Sequence, residues 1–308
     1  MTPALIGVDW GTSSLRAYLL SADGDVLAAT ESPSGIMALA GRSFEAALQA
    51  ACAPWSAAHG ALPAVLSGMI GSRQGWIEAP YVTCPAALPD LVTALVALSV
   101  DGLGPVRLVP GLSRRDAAGV PDVMRGEECQ VLGAMAATGL RDGRFLLPGT
   151  HSKLVEVRDG RILGFRTFMT GEVFAALRGH TILGRMMAGT GGDGEAFRRG
   201  VAAAERARSP GDLLALLFSA RTLRLFDEIG KHDAFDYLSG MLIGAELATL
   251  RGTHEPVVLV GGAELAQRYD DAATALGIAA TMAPADCVRI GHLAIARAAK
   301  LIGREGRT

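Results

Sequence analysis

Apolar and polar positions follow two periods along this chain, and each period predicts a different kind of element. Short, mostly apolar runs predict strands at 4–9, 15–20, 26–31, 64–67, 106–109, 145–147, 153–157, 162–168, 257–260 and 278–281. Longer Ala-rich stretches with a helical period predict helices at 43–59, 86–98, 127–139, 195–208, 211–229, 235–251, 263–276 and 290–301. Because strands and helices alternate, the pattern predicts an α/β protein with mixed sheets.

A strand-turn-strand pattern that opens the chain returns in degraded form in its second half. Residues 4–28 contain an apolar strand, a turn at Gly11-Thr12, a second strand, a tight Asp-Gly hairpin and a third strand. Residues 145–164 repeat this order, with Gly149-Thr150 at the corresponding turn. Two such units about one domain length apart predict two similar domains that face each other across a central cleft.

The polar, glycine-containing segment 139–144 directly precedes the second repeat, and we place the domain boundary there. The predicted N-terminal domain, 1–143, contains the first turn. The predicted C-terminal domain, 144–308, contains the second turn.

Composition and charge narrow the class of protein. The 308 residues carry a net charge of −2 without a basic block, which argues against a nucleic-acid partner. No apolar run approaches the roughly 20 residues of a spanning helix, and no signal-peptide pattern is present, so we expect no membrane partner. The four cysteines are far apart, which indicates buried free thiols and a cytoplasmic location. The oligomeric state stays open, with a homodimer as one option.

The two Gly-Thr turns form the predicted nucleotide site. Backbone N–H groups in turns of glycine and small hydroxyl residues can surround phosphate oxygens, and binding from two sides suits an ATP-dependent phosphotransferase. The residues assigned to phosphate binding are Gly11, Thr12, Ser13, Gly149, Thr150 and His151. Arg16 on the outgoing strand could also reach a phosphate, and a plain surface arginine fits nearly as well.

Three further positions complete the predicted nucleotide site. Asp9 ends the first strand, where a carboxylate could hold Mg²⁺ directly or through water; a turn-forming Asp is the alternative. Gly261-Gly262 lies between a buried strand and a helix, an arrangement that suits adenosine. Lys153, one of only three lysines, lies in the second turn and could neutralise charge on the transferred phosphoryl group or on a carboxylate of the substrate; a lysine that chance has left at this position is the alternative.

The commoner nucleotide motifs do not apply. The single Gly-Lys pair, Gly230-Lys231, is followed by His232, so the chain has no P-loop. A G-x-G-x-x-G pattern at 189–194 follows a helical pattern instead of a strand, and we interpret it as a flexible loop.

Two other segments are candidates for binding the phosphoryl acceptor. The loop 67–81 follows a buried strand and combines backbone donors with aromatic faces for a small polar ligand. Its candidate binding residues are Gly68, Met69, Gly71, Ser72, Trp76 and Tyr81. Arg125, from the second segment, is a further candidate. In the second segment, Glu127 and Glu128 open a helix, and one of them could act as the general base; ordinary complementarity with the helix dipole is the alternative.

Several short motifs of this sequence resemble those of the 2-dehydro-3-deoxygalactonokinase family, whose members have the actin-like ATPase fold of sugar kinases and Hsp70-type chaperones. The resemblance extends from about residue 5 to residue 297. The matching motifs are Val8–Thr12, Gly68–Ser72, Gly75-Trp76, Ala79–Tyr81, Val123–Glu128, Pro148–Lys153, Met169–Glu172, Leu238–Gly240 and Ile243–Glu246.

The resemblance implies ATP and Mg²⁺ as co-substrates and phosphorylation of a 2-keto-3-deoxy sugar acid at its 6-hydroxyl. Many sugar kinases of this fold carry an Asp base in the second hairpin, whereas Gly149–Lys153 contains no acid here, so we assign the base to the paired glutamates. Two alternatives remain: a kinase of another sugar acid, such as the gluconate-derived epimer, and a non-metabolic actin-like ATPase. The second would not need the acceptor loop at 67–81.

Overall fold

The computed structural model describes residues 1–39, 41, 43–188, 194–252 and 255–303, which form three β-sheets with surrounding helices. The strands are β1 (Pro3–Trp10), β2 (Leu15–Ser21), β3 (Val26–Ser32), β4 (Ala64–Ser67), β5 (Tyr81–Thr83), β6 (Val96–Leu98), β7 (Val106–Leu108), β8 (Gly111–Arg115), β9 (Pro121–Met124), β10 (Gly143–Leu147), β11 (Ser152–Arg158), β12 (Arg161–Phe168), β13 (Val257–Leu259) and β14 (Ala280–Met282).

The helices lie between these strands and after the last one. They are α1 (Phe44–His59), α2 (Leu88–Thr93), α3 (Glu127–Thr138), α4 (Thr170–His180), α5 (Glu195–Glu205), α6 (Pro210–Leu217), α7 (Ser219–Leu225), α8 (Asp233–Leu247), α9 (Ala263–Ala275) and α10 (Cys287–Ala298). None of the helices within the described residues has both the length and the apolar character that crossing a membrane requires.

The two larger sheets repeat one strand order. The first has the order β3-β2-β1-β4-β7-β6, and the second has the order β12-β11-β10-β13-β14. In each, the first strand of a hairpin unit pairs in parallel with a later strand, β1 with β4 and β10 with β13, and a further parallel strand follows. The carboxyl ends of the parallel strands therefore meet at one edge of each sheet, and there the Gly-Thr turns begin.

The chain forms two compact units. The first comprises Met1–Asp142, Val155–Phe165 and the chain from Ala283 onward, and the second comprises Gly143–Leu154 and Arg166–Met282. The predicted domains are continuous segments, whereas both units combine separate segments. Helix α10 belongs to the first unit because it packs against α3 so closely that a Cβ at Gly133 would overlap the Cys287 carbonyl group.

Each unit has its own apolar core. In the first, alternate residues of β1, Ile6, Val8 and Trp10, are fully buried with Leu66 of β4. In the second, Leu259 of β13 belongs to a buried cluster with residues of α5, α8 and α9. The cores place the strand ends and the turns that follow them at defined positions.

The predicted elements differ from the structure mainly in short segments. The predicted helix 86–98 is wrong: α2 ends at Thr93, and Val96–Leu98 instead pairs as β6 with β7 because its apolar residues complete the sheet edge. The predicted helix 211–229 is divided into α6 and α7. The pattern missed α4 and the three-stranded sheet β5-β8-β9.

Candidate active site

The first Gly-Thr turn is tightly built. The Gly11 N–H donates to the Ser14 carbonyl oxygen at 2.9 Å, and Thr12 and Ser13 are exposed at the tip. Gly35 packs directly on this turn, since a Cβ at that position would lie 2.3 Å from the Thr12 carbonyl oxygen. The turn is thus held in place from behind while its hydroxyl residues remain accessible.

Asp9 lies immediately before this turn, opposite Arg16 on β2 and Ser67 on β4. Burial raises the pKa of the Asp9 carboxyl, and the charge of Arg16 opposes this rise. The Arg16 side chain itself is bound to Glu31, with 3.0 Å between Nε and Oε1. Mg²⁺ commonly uses one or two protein carboxylates together with waters and substrate phosphates, so one carboxylate beside an exposed turn fits this ion.

Two glycines bring the acceptor loop close to the start of α3, where Glu127 and Glu128 lie. A Cβ at Gly68 would lie 2.8 Å from the Trp10 carbonyl oxygen and 3.4 Å from Asp9 Oδ1. A Cβ at Gly126 would lie 3.2 Å from Gly68 Cα, and both glycines have positive φ angles, +93° and +106°. Only glycine adopts these conformations without strain. Asp9, the acceptor loop and the start of α3 are therefore in direct proximity.

Arg125 is a buried cation beside the acceptor loop. Its Nη2 donates to the Ala79 carbonyl oxygen at 2.8 Å, and its guanidinium lies 4.3 Å from the centre of the Tyr81 ring. A Cβ at Gly71 would lie 2.9 Å from Nη1. Among the described residues, Nε and Nη1 have no hydrogen-bond partner. A buried donor without an acceptor is uncommon, so this guanidinium is a candidate for binding an anionic group.

The other predicted acceptor-binding residues occupy the same loop. Met69 and Trp76 are half-buried and pack against the first core, and the buried Ser72 Oγ has no hydrogen-bond partner among the described residues. The Tyr81 side chain is 40% exposed.

The two glutamates of α3 differ in accessibility. The Glu128 side chain is fully buried and accepts from the Gly126 N–H through both oxygens, at 2.9 and 2.7 Å. Burial, helped by the charge of Glu127, raises the pKa of Glu128 to about 8. Glu127 is half-buried, and its Oε2 accepts from the Arg125 N–H at 2.9 Å. Of this pair, only Glu127 is accessible to solvent.

The raised pKa of Glu128 predicts a measurable pH dependence of stability. Between pH 4.5 and about 8 the folded state binds a proton at Glu128 that the unfolded state releases, so the free energy of unfolding falls as pH rises. The maximal slope from one such group is about 1.4 kcal/mol per pH unit. We expect Glu128→Gln to remove this contribution, as measured by urea unfolding at pH 5 and pH 8. Exposed Glu156→Gln is the control, and equal slopes in all three proteins would contradict the assignment.

The second Gly-Thr turn is held by the start of α4. A Cβ at Gly171 would lie 2.5 Å from the Gly149 carbonyl oxygen, and the Glu172 N–H donates to the Thr150 carbonyl oxygen at 3.0 Å. His151 Nε2 lies 2.6 Å from Glu172 Oε2, with both side chains about half exposed. The turn and the first turn of α4 therefore form one structural element.

Lys153 follows this turn on β11. Its side chain is buried, and Nζ donates to Thr167 Oγ1 on the neighbouring strand β12 at 2.7 Å. This hydrogen bond holds the ammonium group of Lys153 inside the second unit, since Thr167 also belongs to that unit.

A cavity of about 840 Å³ opens beside the second turn. Its lining includes Gly149, Thr150 and the start of α4 on one side, and Gly262 with the first residues of α9 on another. Phe174 and Phe235 supply apolar surface, with their ring centres 4.9 Å apart. Gly261, with φ +150°, precedes the N-cap residue Gly262. A cavity with apolar surface, several polar side chains and a helix N-terminus is suited to a small ligand that has an aromatic part and an anionic part.

Sequence reasoning did not assign two groups of this region. Thr170 lines the cavity, and its hydroxyl binds Glu246, a buried residue of α8. Both residues lie in sequence motifs that carry the family resemblance, Met169–Glu172 and Ile243–Glu246. These motifs were the only feature of the sequence that pointed to the two residues. The G-x-G-x-x-G pattern at 189–194 falls largely outside the described residues, which include only Gly194 of it.

The repeated sheet order, with a Gly-Thr turn at the same place in each repeat, defines an α/β protein of the actin-like ATPase fold, and the predicted fold class is confirmed. The profile of the 2-keto-3-deoxy-galactonokinase family matches residues 9–295. The chain belongs to this family, and it is therefore a kinase.

Individual relatives agree with the family match. A Rhizobium meliloti (strain 1021) protein that carries the name 2-dehydro-3-deoxygalactonokinase DgoK1 is 42% identical over 301 residues, 94% of this chain and 96% of the relative. The 2-dehydro-3-deoxygalactonokinase of Escherichia coli (strain K12) is 33% identical over 291 residues, 93% of this chain and 94% of the relative. A crystal structure from Sinorhizobium meliloti with the same designation has a TM-score of 0.86 at 40% identity, covering 96% of this chain and 98% of that one.

Proposed function

We propose that this kinase transfers the terminal phosphoryl group of ATP to the 6-hydroxyl of 2-dehydro-3-deoxy-D-galactonate. The observation that carries the proposal is the close approach of Gly68 both to Asp9 and to Gly126, the residue that precedes Glu127 at the start of α3. The names of the relatives support the choice of sugar acid. The four free cysteines support a reducing, cytoplasmic location.

The acceptor site of the proposal is the loop that begins at Gly68. A sugar acid carries a carboxylate, and Arg125 is a buried cation whose Nε and Nη1 atoms lack partners among the described residues. Met69, Gly71 and Ser72 would contribute backbone and hydroxyl contacts. The aromatic side chains of Trp76 and Tyr81 would contribute the apolar contacts.

In the second unit, the proposed nucleotide site is the cavity beside Gly149 and Thr150. Gly261 and Gly262 permit a flat base to lie close to the backbone, and the N-terminus of α9 favours negative charge. The turn that ends with His151 would present backbone N–H groups to phosphate oxygens. In the first unit, the turn of Gly11, Thr12 and Ser13 has the same local design, with Arg16 on the following strand.

Chemically, the proposed residues position the reactants and stabilise charge, as phosphoryl transfer requires. Glu127 would accept the proton of the 6-hydroxyl as the hydroxyl oxygen attacks in line. Asp9 would hold Mg²⁺, which when bound neutralises charge on the phosphate oxygens. Lys153 would stabilise the second phosphate turn and add positive charge near it.

Lys153→Met is expected to reduce kcat/KM more than Lys231→Met or Lys300→Met does. Lys153 follows the second Gly-Thr turn in sequence, and its buried ammonium group binds Thr167. Loss of one such charged interaction typically corresponds to a tenfold or larger effect, about 1.5–3 kcal/mol. Steady-state kinetics of the three variants tests this expectation. Equal, mild effects in all three would remove Lys153 from the site.

The release of ADP tests the proposed function directly. We expect ADP production that depends on added 2-keto-3-deoxy sugar acid and is low without it. A non-metabolic ATPase of the same fold would release ADP independently of any sugar acid, so acceptor-independent turnover would contradict the proposal. A kinase of the gluconate-derived epimer would also depend on an acceptor and is separated by comparing the two acids.

A further inference from the structure

Glu246 is a buried carboxyl group that the proposed reaction does not use. It lies near the end of α8 and is 5% exposed. Three hydroxyl groups donate to it: Ser152 to Oε1 at 2.6 Å, Tyr269 to Oε2 at 2.7 Å, and Thr170 to Oε2 through a short bond. A buried acid that accepts from three side chains of distant sequence positions connects the segments that carry them.

Each donor belongs to a segment beside the cavity of the second unit. Ser152 directly follows the turn of Gly149, Thr150 and His151. Thr170 is the first residue of α4, the helix that holds this turn, and Tyr269 lies on α9, whose N-terminus lines the cavity. One carboxyl group therefore connects the turn, α4 and α9 through α8.

The electrostatic environment of Glu246 is compatible with an accepting carboxylate. Burial raises its pKa, and the hydrogen bonds from Ser152, Thr170 and Tyr269 oppose this rise because they stabilise the charged form. Glu246 has no salt bridge to a basic side chain in the described residues, so the hydroxyl donors compensate its desolvation. Hydrogen bonds to a charged acceptor are also stronger than neutral ones, which favours a single arrangement of the three segments.

We propose that Glu246 is a positioning residue that fixes Ser152 and Thr170 so that the Gly149–His151 turn presents its backbone N–H groups to the phosphates of the bound nucleotide. The inference rests on the proposed function, because it takes a nucleotide as the ligand of the cavity. Its specific consequence is that Glu246 affects affinity for the phosphate chain and leaves affinity for the nucleoside part nearly unchanged.

Binding of ADP and of adenosine, measured by calorimetry on the full chain, separates these two contributions. Glu246→Gln keeps the size of the side chain and replaces one accepting oxygen by an amide that donates. We expect it to weaken ADP binding by about tenfold, since loss of a charged hydrogen-bond acceptor typically has this effect, and to change adenosine binding less than twofold. Retained adenosine binding also reports a folded second unit.

Thr170 provides a matched pair of variants. Thr170→Val keeps the shape of the side chain without its hydroxyl, and Thr170→Ser keeps the hydroxyl. We expect Thr170→Val to weaken ADP binding to a similar extent as Glu246→Gln, and Thr170→Ser to remain close to the unmodified protein. This pair keeps the test valid if Glu246→Gln fails to fold.

Two results would overturn the inference. If Glu246→Gln and Thr170→Val weaken ADP and adenosine equally, Glu246 supports the fold in general and has no specific effect on the phosphate turn. If neither variant changes ADP binding, the hydrogen bonds do not position the turn. Failure of the unmodified protein to bind ADP would overturn the proposed nucleotide site itself, and the two failures are therefore distinguishable.

Discussion

Asp9→Asn is expected to remove most turnover while leaving the fold intact. An amide of the same size cannot replace a carboxylate as a ligand of Mg²⁺, and this ion supplies several kcal/mol of stabilisation to charge developing on the phosphates. The expected loss of kcat is therefore at least about a hundredfold, measured at saturating Mg²⁺. Because burial already disfavours the charged form of Asp9, the neutral amide is not expected to lower the midpoint of thermal unfolding.

The control for this variant is Asp23→Asn. Asp23 is exposed in the loop that joins β2 to β3, at the opposite end of β1 from the Gly11-Thr12 turn. Its removal is expected to leave kcat unchanged. A kcat like that of the unmodified protein in Asp9→Asn would contradict the assigned role of Asp9.

Glu127→Gln and Glu128→Gln are expected to differ sharply in kcat. Successive helix residues point about 100° apart, and the structure leaves Glu127 accessible while it buries Glu128 completely. Loss of a general base reduces the rate typically 10²–10⁴-fold, which we expect for Glu127→Gln. Glu128→Gln is expected to retain near-normal kcat, with its main effect on the pH dependence of stability.

Near-normal kcat in both variants would show that the base is not in this segment, or that proton transfer contributes little in a loose transition state. A large loss in Glu128→Gln alone would reverse the assignment, and its cause could then be separated from misfolding by the unfolding midpoint. Each outcome identifies which carboxylate the reaction requires.

Much of the fold could be predicted from the sequence because strong local signals coincide with tertiary structure. The second hairpin is an example: Asp159 and Gly160 both have positive φ angles, as a tight two-residue turn requires. In the first hairpin only Gly24 of the Asp23-Gly24 pair has a positive φ angle, and four residues join β2 to β3. Helices α3 and α9 begin at the predicted residues 127 and 263. The three-stranded sheet was missed since β5, β8 and β9 are only three to five residues long and are defined by their pairing partners.

The candidate site was less predictable because its geometry depends on long-range contacts. The sequence placed Glu127 and Glu128 in one helical turn, but only packing determines which of them is buried. The three hydroxyl donors of Glu246 lie 23 to 94 positions away from it in sequence, so no local pattern joins them. The role of Arg125 as a buried cation likewise depends on the Ala79 carbonyl group, which is 46 positions away.

The most direct test of the central claim is a comparison of kcat/KM for three acceptors: 2-dehydro-3-deoxygalactonate, its gluconate-derived epimer and glucose. The buried cation Arg125 beside the acceptor loop predicts that both sugar acids are used far better than glucose, and the relatives predict the galactonate-derived acid as the best substrate. A site that binds the distinguishing hydroxyl can discriminate strongly between the epimers. Preference for the gluconate-derived epimer would contradict the stereochemistry, and glucose as the best substrate would contradict the sugar-acid kinase assignment as a whole.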